Sequence, residues 1–231
     1  MSRVEGCLGV LEIGPGPGVL TRPLTLAAAK VIAVEVDRSI LPVLHEYAPM
    51  AEVVAGDALK SDLAKLLNRL PEPRAVVSNM PYNITGPLLE AFSRTRSLYS
   101  KAVLMMQREV AQKILAQPGD SDRGALSVVM QAYFDISKVC QVPPGAFVPP
   151  PKVDSTVLEF VPLASGLSDQ GLDDVIRLVR AGFTQPRKTV ANNLSAILGA
   201  EEAKRRLETA GFEGRLRPHQ LTWEQWKSLA T

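Results

Sequence analysis

The chain has 231 residues, 46% hydrophobic and 22% charged, a balance ordinary for a soluble globular protein and sufficient for a sizeable core. No apolar stretch reaches the ~20 residues of a membrane-spanning helix, because Arg22, Lys30 and Glu35 interrupt the longest candidate. The 26 basic and 24 acidic residues leave a net charge of +2, too small to name a partner by itself.

Met1-Ser2-Arg3-Val4-Glu5 carries an acid and lacks the layout of a secretory signal. Cys7 and Cys140 form no CxxC pair and read as free thiols of a reducing cytoplasm. His45 and His219 stand far apart, with no metal-ligand spacing around them.

In chain order, short β-rich apolar runs at residues 10–13, 31–36, 52–55, 75–78 and 102–106 alternate with helix-like stretches at 38–47, 61–70 and 109–115. That alternation predicts a parallel α/β sheet. Residues 136–142 and 155–161 read as a final antiparallel pair. They flank Pro143-Pro144-Gly145-Ala146-Phe147-Val148-Pro149-Pro150-Pro151-Lys152, which is extended and stiff because each proline fixes its own φ. Near Ala164-Ser165-Gly166 the character changes, and 172–183, 190–198, 201–210 and 223–229 carry helical patterning without a strand signal. Two domains follow from this: residues 1–164 as an α/β core and 165–231 as a small all-helical domain. From Arg177 to Arg217 nine basic residues face four acids, a local balance of +5 that hints at a polyanion or, equally, at a solvated helical surface.

Chemistry gathers at the ends of the predicted strands. Leu11-Glu12-Ile13-Gly14-Pro15-Gly16-Pro17-Gly18 follows the first strand, and its spacing is G-x-G-x-G, with Val19 where a dinucleotide fingerprint places its later glycine. It suits a ligand without a pyrophosphate, such as S-adenosylmethionine; a tight structural turn is the alternative. Glu35 ends the second run, where a carboxylate can accept both hydroxyls of a ribose, and Asp57 ends the third, where it can accept from an adenine amine. Either acid could instead cap a helix.

Asn79-Met80-Pro81-Tyr82 ends the fourth run. An aromatic exocyclic amine is a poor nucleophile because its lone pair is delocalised. The Asn79 side-chain oxygen and the Met80 carbonyl, stiffened by Pro81, offer two acceptors for its N–H groups. That would aim the nitrogen at a sulfonium methyl, while Tyr82 stacks on an extruded base; a proline turn with a half-buried tyrosine is the alternative.

Taken together, LEIGPGPGVLT, AVEVDR, VAGDAL, SNMPYNIT, MMQREVAQKI, VPPGAFVPPPKVDSTVLEF and FTQPRKTVANNL resemble the ribosomal RNA adenine dimethyltransferase family, from about Gly9 to the C-terminus. The resemblance implies a Rossmann-like S-adenosylmethionine-dependent methyltransferase core with a small helical C-terminal domain. It implies dimethylation of two adjacent adenosines near the 3′ end of 16S rRNA. The expected target is an immature small ribosomal subunit; from the cysteines and histidines a cytoplasmic protein without a metal is expected, and a monomer is the default. By position the resemblance assigns Glu12, Gly14, Gly16, Glu35, Asp57, Ala58 and Asn79 to the cofactor, and Asn79, Pro81, Tyr82 and Phe147 to catalysis. Phe147 would be the ring opposing Tyr82, a core plug being the alternative. Arg187 and Lys188 would touch RNA phosphates.

Two departures stand out. Members of the family usually carry a further N-terminal segment with a Gln-Asn-Phe-Leu motif that closes over the cofactor, and no such motif occurs in this sequence. A truncated chain and a member without that segment are the two readings, and both predict weakened cofactor binding. The second is Pro186, where an arginine is commoner; one phosphate contact is expected to be missing. The alternatives of function are a 23S rRNA methyltransferase of the macrolide-resistance type and a non-catalytic ribosome-assembly factor on the same fold.

Overall fold

The computed structural model describes residues 4–164, 167–211 and 215–230. Met1, Ser2, Arg3 and the Ser165-Gly166 part of the expected linker lie outside them.

Strands β1 (Gly9–Ile13), β2 (Lys30–Glu35), β3 (Glu52–Ala55), β4 (Arg74–Asn79) and β5 (Lys101–Gln107) form in the predicted order. With β6 (Phe134–Val142) and β7 (Ser155–Pro162) they make one seven-stranded sheet in the order β3-β2-β1-β4-β5-β7-β6. The first five strands are parallel; β7 runs antiparallel to both β5 and β6. Every residue of β1 is buried, as expected of a central parallel strand with helices on both faces. Leu24 of α1 (Thr21–Ala27) and Leu44 of α2 (Leu41–Tyr47) close one core cluster with Val10, Val31, Ala75 and Val77. At about 25 cal/mol per Å², burial of such aliphatic side chains is what holds the layers together.

The remaining helices are α3 (Leu63–Asn68), α4 (Thr85–Arg94), α5 (Arg108–Leu115), α6 (Ala125–Tyr133), α7 (Asp169–Gly182), α8 (Val190–Leu198), α9 (Ala200–Thr209) and α10 (Trp223–Ala230).

Two compact units emerge: Met1–Ala111 with Phe134–Pro162, and Gln112–Tyr133 with Leu163–Thr231. The second unit is larger than the 165–231 read from sequence, because α6 packs against α7 and carries its flanking residues with it. Within it the described secondary structure is helical. Trp226 of α10 is completely buried, tilted against Phe183 with ring centroids 5.9 Å apart, and anchors this unit's core.

Candidate active site

Parallel strands point their carboxyl ends the same way, so the residues that follow them collect along one edge. Ile13 is paired with Val34 on one side and with Ser78 on the other, which brings Gly14, Glu35 and Asn79 level. Glu35 is paired with Ala55, two residues ahead of Asp57. Because β1 has β2 on one side and β4 on the other, the loops diverge here and leave a crevice.

Gly14 and Gly16 have φ of 71° and 56°, a left-handed backbone that side chains rarely adopt. The Gly14 N–H donates to the Val34 carbonyl at 3.0 Å, and the Gly16 N–H to Glu35 Oε2 at 3.0 Å. A Cβ on Gly14 would stand 3.8 Å from both the Asn79 carbonyl oxygen and Pro81 Cγ, so the glycine loop runs beside the tetrapeptide with space for little more than a methyl group between them.

Neither acid caps a helix. The N-cap of α2 is Ile40, and that of α3 is Asp62, whose carboxylate accepts from the Lys65 N–H at 2.9 Å. Glu35 is buried and bridges backbone instead: its Oε1 accepts from the Asp37 N–H at 2.8 Å, opposite the Gly16 bond. Each carboxylate oxygen keeps a second lone pair for a ligand hydroxyl. Asp57 is half-buried, its Oδ1 accepting from the Leu59 N–H at 2.9 Å, and Ala58 beside it is buried.

Glu12 lies one residue before the end of β1 and is 1% exposed. Burial pushes its carboxyl up to about 7; the nearby Thr21 hydroxyl offsets part of that rise and the Glu35 charge adds to it. Glu12 Oε2 and Thr21 Oγ1 are both buried without a hydrogen-bond partner among the described residues. Orphaned polar atoms beside a glycine loop fit a ligand that brings its own polar groups, so the residues present suit S-adenosylmethionine.

Just before the tetrapeptide, the buried Ser78 hydroxyl donates to the Ile13 carbonyl at 2.9 Å and locks the end of β4 to β1. Met80 is buried and its N–H donates to the Met105 carbonyl at 2.9 Å. Asn79 is exposed, and among the described residues nothing hydrogen-bonds its side chain or the Met80 carbonyl. Pro81 leads into a single 3₁₀ turn, Tyr82–Ile84. Tyr82 is half-buried, and its hydroxyl lies 2.8 Å from Ser155 Oγ, a partner that sequence reasoning missed because no local pattern links the two positions.

Phe147 is half-buried in the connection from β6 to β7, just after a single turn at Pro144–Ala146. Among the described residues it makes no ring–ring contact with Tyr82.

Arg187 and Lys188 lie in the second unit, in the turn before α8, exposed and without an ion-pair partner among the described residues. Asn193, 5% exposed, clamps that turn: Oδ1 accepts from the Gln185 N–H at 2.8 Å, while Nδ2 donates to the Gln185 and Thr189 carbonyls at 3.1 and 3.0 Å. Lys188 borders an open cleft of about 350 Å³ together with Thr184, Gln185 and Asn192.

A family model described as ribosomal RNA adenine dimethylase matches residues 3–230. The chain belongs to this dimethylase family. The dimethylase is 40% identical over 229 residues to the ribosomal RNA small subunit methyltransferase A of Geobacter metallireducens, covering 96% of this chain and 83% of that protein. It is 37% identical to the protein of the same name from Nostoc sp., over 96% and 86% of the two chains. Among solved structures, a dimethyladenosine transferase from Plasmodium falciparum superposes with a TM-score of 0.79 at 27% identity, over 98% and 90% of the two chains. The 23S rRNA methyltransferase ErmE superposes with a TM-score of 0.72 at 29% identity, over 98% and 91%. The dimethylase is an S-adenosylmethionine-dependent rRNA adenine methyltransferase.

Proposed function

We propose that this dimethylase converts two adjacent adenosines near the 3′ end of 16S rRNA to their dimethylated forms, on an immature small ribosomal subunit, as a cytoplasmic monomer. The observation that carries the reading is the register that sets Gly14, Glu35 and Asn79 level at the carboxyl edge of the sheet, with room between Gly14 and the tetrapeptide for no more than a methyl group. The names of the relatives at 37% and 40% identity supply the small-subunit target.

S-adenosylmethionine, when bound, supplies an electrophilic methyl group on a positively charged sulfur. The chain's own residues do the rest. Glu35, with one lone pair spare on each oxygen, takes ribose hydroxyls, and Asp57 and Ala58 flank the adenine of the cofactor. Glu12, Gly14 and Gly16 line the remainder of the crevice. The Asn79 side-chain oxygen and the Met80 carbonyl accept the two N–H groups of the target amine. Bound so, the nitrogen gains tetrahedral character and its lone pair turns out of the ring's π-system. Both acceptors being unengaged, no internal bond has to break first. Tyr82 and Phe147 hold the two faces of the extruded base, which restricts its rotation and excludes water from the amine. Arg187 and Lys188 contact phosphates, a sequence-independent role.

The test uses unmethylated small subunits and isotopically labelled cofactor, with mass mapping of the rRNA. The expected result is dimethylation of the paired adenosines, and a loss on the order of 100-fold or more in Asn79→Ala, comparable to removal of a transition-state hydrogen bond elsewhere. Full activity of Asn79→Ala contradicts the assigned acceptor role. The TM-score of 0.72 to the 23S enzyme supports a second reading, which label confined to large-subunit RNA would establish.

A further inference from the structure

We infer that Ser155 is a positioning residue for Tyr82, so that β7 fixes where the base-facing ring stands. The inference rests on the reading that Tyr82 faces the target adenine. Ser155 is the first residue of β7 and is completely buried. Because β7 runs antiparallel to β5, its first residue lies at the edge where the parallel strands end; there it pairs with Gln107, the last residue of β5. Its hydroxyl meets the Tyr82 hydroxyl at 2.8 Å, across the end of β5.

The two partners are held very differently. Ser155 pairs with Gln107 on one side and Val142 on the other. Its neighbour Asp154 is clamped by Arg108 twice, the backbone N–H donating to the Asp154 carbonyl at 2.9 Å and Nη1 to the carboxylate at 2.8 Å. Tyr82 sits in a single 3₁₀ turn, closed by the Ile84 N–H to the Pro81 carbonyl at 3.1 Å and by Thr85 Oγ1 reaching the Pro81 carbonyl at 3.3 Å. One turn of this kind fixes a backbone weakly and leaves the side-chain torsions free. A phenol anchored at its far end by a rigid strand loses that freedom, so its ring is in place before the base arrives. Packing alone would need no hydroxyl at this position, and a phenylalanine would serve.

Steady-state methyl transfer to unmethylated small subunits, at saturating cofactor, separates the roles. Ser155→Ala and Tyr82→Phe delete the bond from opposite ends, and the second leaves the buried strand untouched should the first fold poorly. Each is expected to lower kcat about 3- to 10-fold, the worth of one hydrogen bond, with the KM for S-adenosylmethionine unchanged. The double variant is expected to be no slower than the slower single variant, since both delete one interaction. Multiplicative losses in the double variant, or unchanged kcat in Tyr82→Phe, overturn the inference. Tyr82→Ala tells which premise fails. If it retains kcat, the base-facing role of Tyr82 is wrong; if it collapses while Tyr82→Phe is unaffected, only the positioning role is.

Discussion

A carboxyl shut away from water beside a second carboxylate favours its neutral form. Glu12 is in that position, pushed up to about 7 from an ordinary value of 4.5. Between those two pH values the folded protein holds a proton that the unfolded chain has released. Stability from this group is therefore fully present below about 4.5 and declines as pH rises, until the loss is complete above about 7. The decline is on the order of 3 kcal/mol. Glu12→Gln keeps the shape and cannot ionise. In urea unfolding of the ligand-free protein, it is expected to flatten the dependence on pH from 5 to 8 and to raise stability at pH 8 by about 1–3 kcal/mol. Calorimetric affinity for S-adenosylmethionine at pH 8 is expected to fall in the same variant, because the orphaned Oε2 gives up its charge. Loss of stability at pH 8 in Glu12→Gln would contradict the burial argument. Sequence placed Glu12 in the motif, but not its strain, since the burial of one carboxylate and its distance from Glu35 depend on how two strands pair.

At the scale of elements, the close approach of α7 to α10 decides the core of the second unit. A Cβ on Gly182 would stand 2.3 Å from Trp226 Cη2, inside any tolerable contact, and a buried indole has nowhere to move. Gly182→Ala is therefore expected to destabilise the protein by about 1–3 kcal/mol through overpacking. The cost should shrink in a Trp226→Phe background, whose shorter ring vacates that space, as thermal unfolding of the four proteins would show. Equal costs in both backgrounds would mean that the indole is not what the methyl group meets. The strands were legible because short continuous apolar runs such as Val31–Val34 have few other uses in a chain of this composition. That Gly14, Glu35 and Asn79 share one edge follows from the strands being parallel, whereas the register that sets them level is known only from the pairing. A helix is expected after the glycine loop, where α1 forms, but the sequence gives no bounds for it and no signal for α4. Each carries a proline, Pro23 and Pro87, in its first turn, where no N–H is needed within the helix. Helix α6 was hidden for a different reason. Its Val128-Val129 pair lacks a helical polar face, and its partner α7 lies some forty residues further along the chain. Ser155 was illegible for the same non-local reason.

For the molecule as a whole, a net charge of +2 is a poor guide to polyanion binding, and even the local +5 between Arg177 and Arg217 overstates what is free. Arg205 and Arg206 both reach Glu202 at 2.7 Å, Lys204 lies 3.9 Å from Glu208, and Arg177 lies 3.5 Å from Asp174. Those charges are already partly answered, whereas Arg187 and Lys188 are not, and Asn193 holds their turn in one shape before any partner arrives. Counterion release makes the difference measurable, because each phosphate neutralised adds about 0.7–0.9 to the slope of log affinity against log salt. Replacing Arg187 and Lys188 together by glutamine is expected to lower that slope by about 1.4–1.8. The kcat at saturating RNA should stay unchanged, since both side chains are assigned to phosphates and not to the amine. Replacing Lys204 and Arg205 by glutamine removes the same formal charge but breaks existing ion pairs, and so should move the slope by much less. Equal changes in the two double variants would show that affinity follows total charge rather than the particular turn that Asn193 presents.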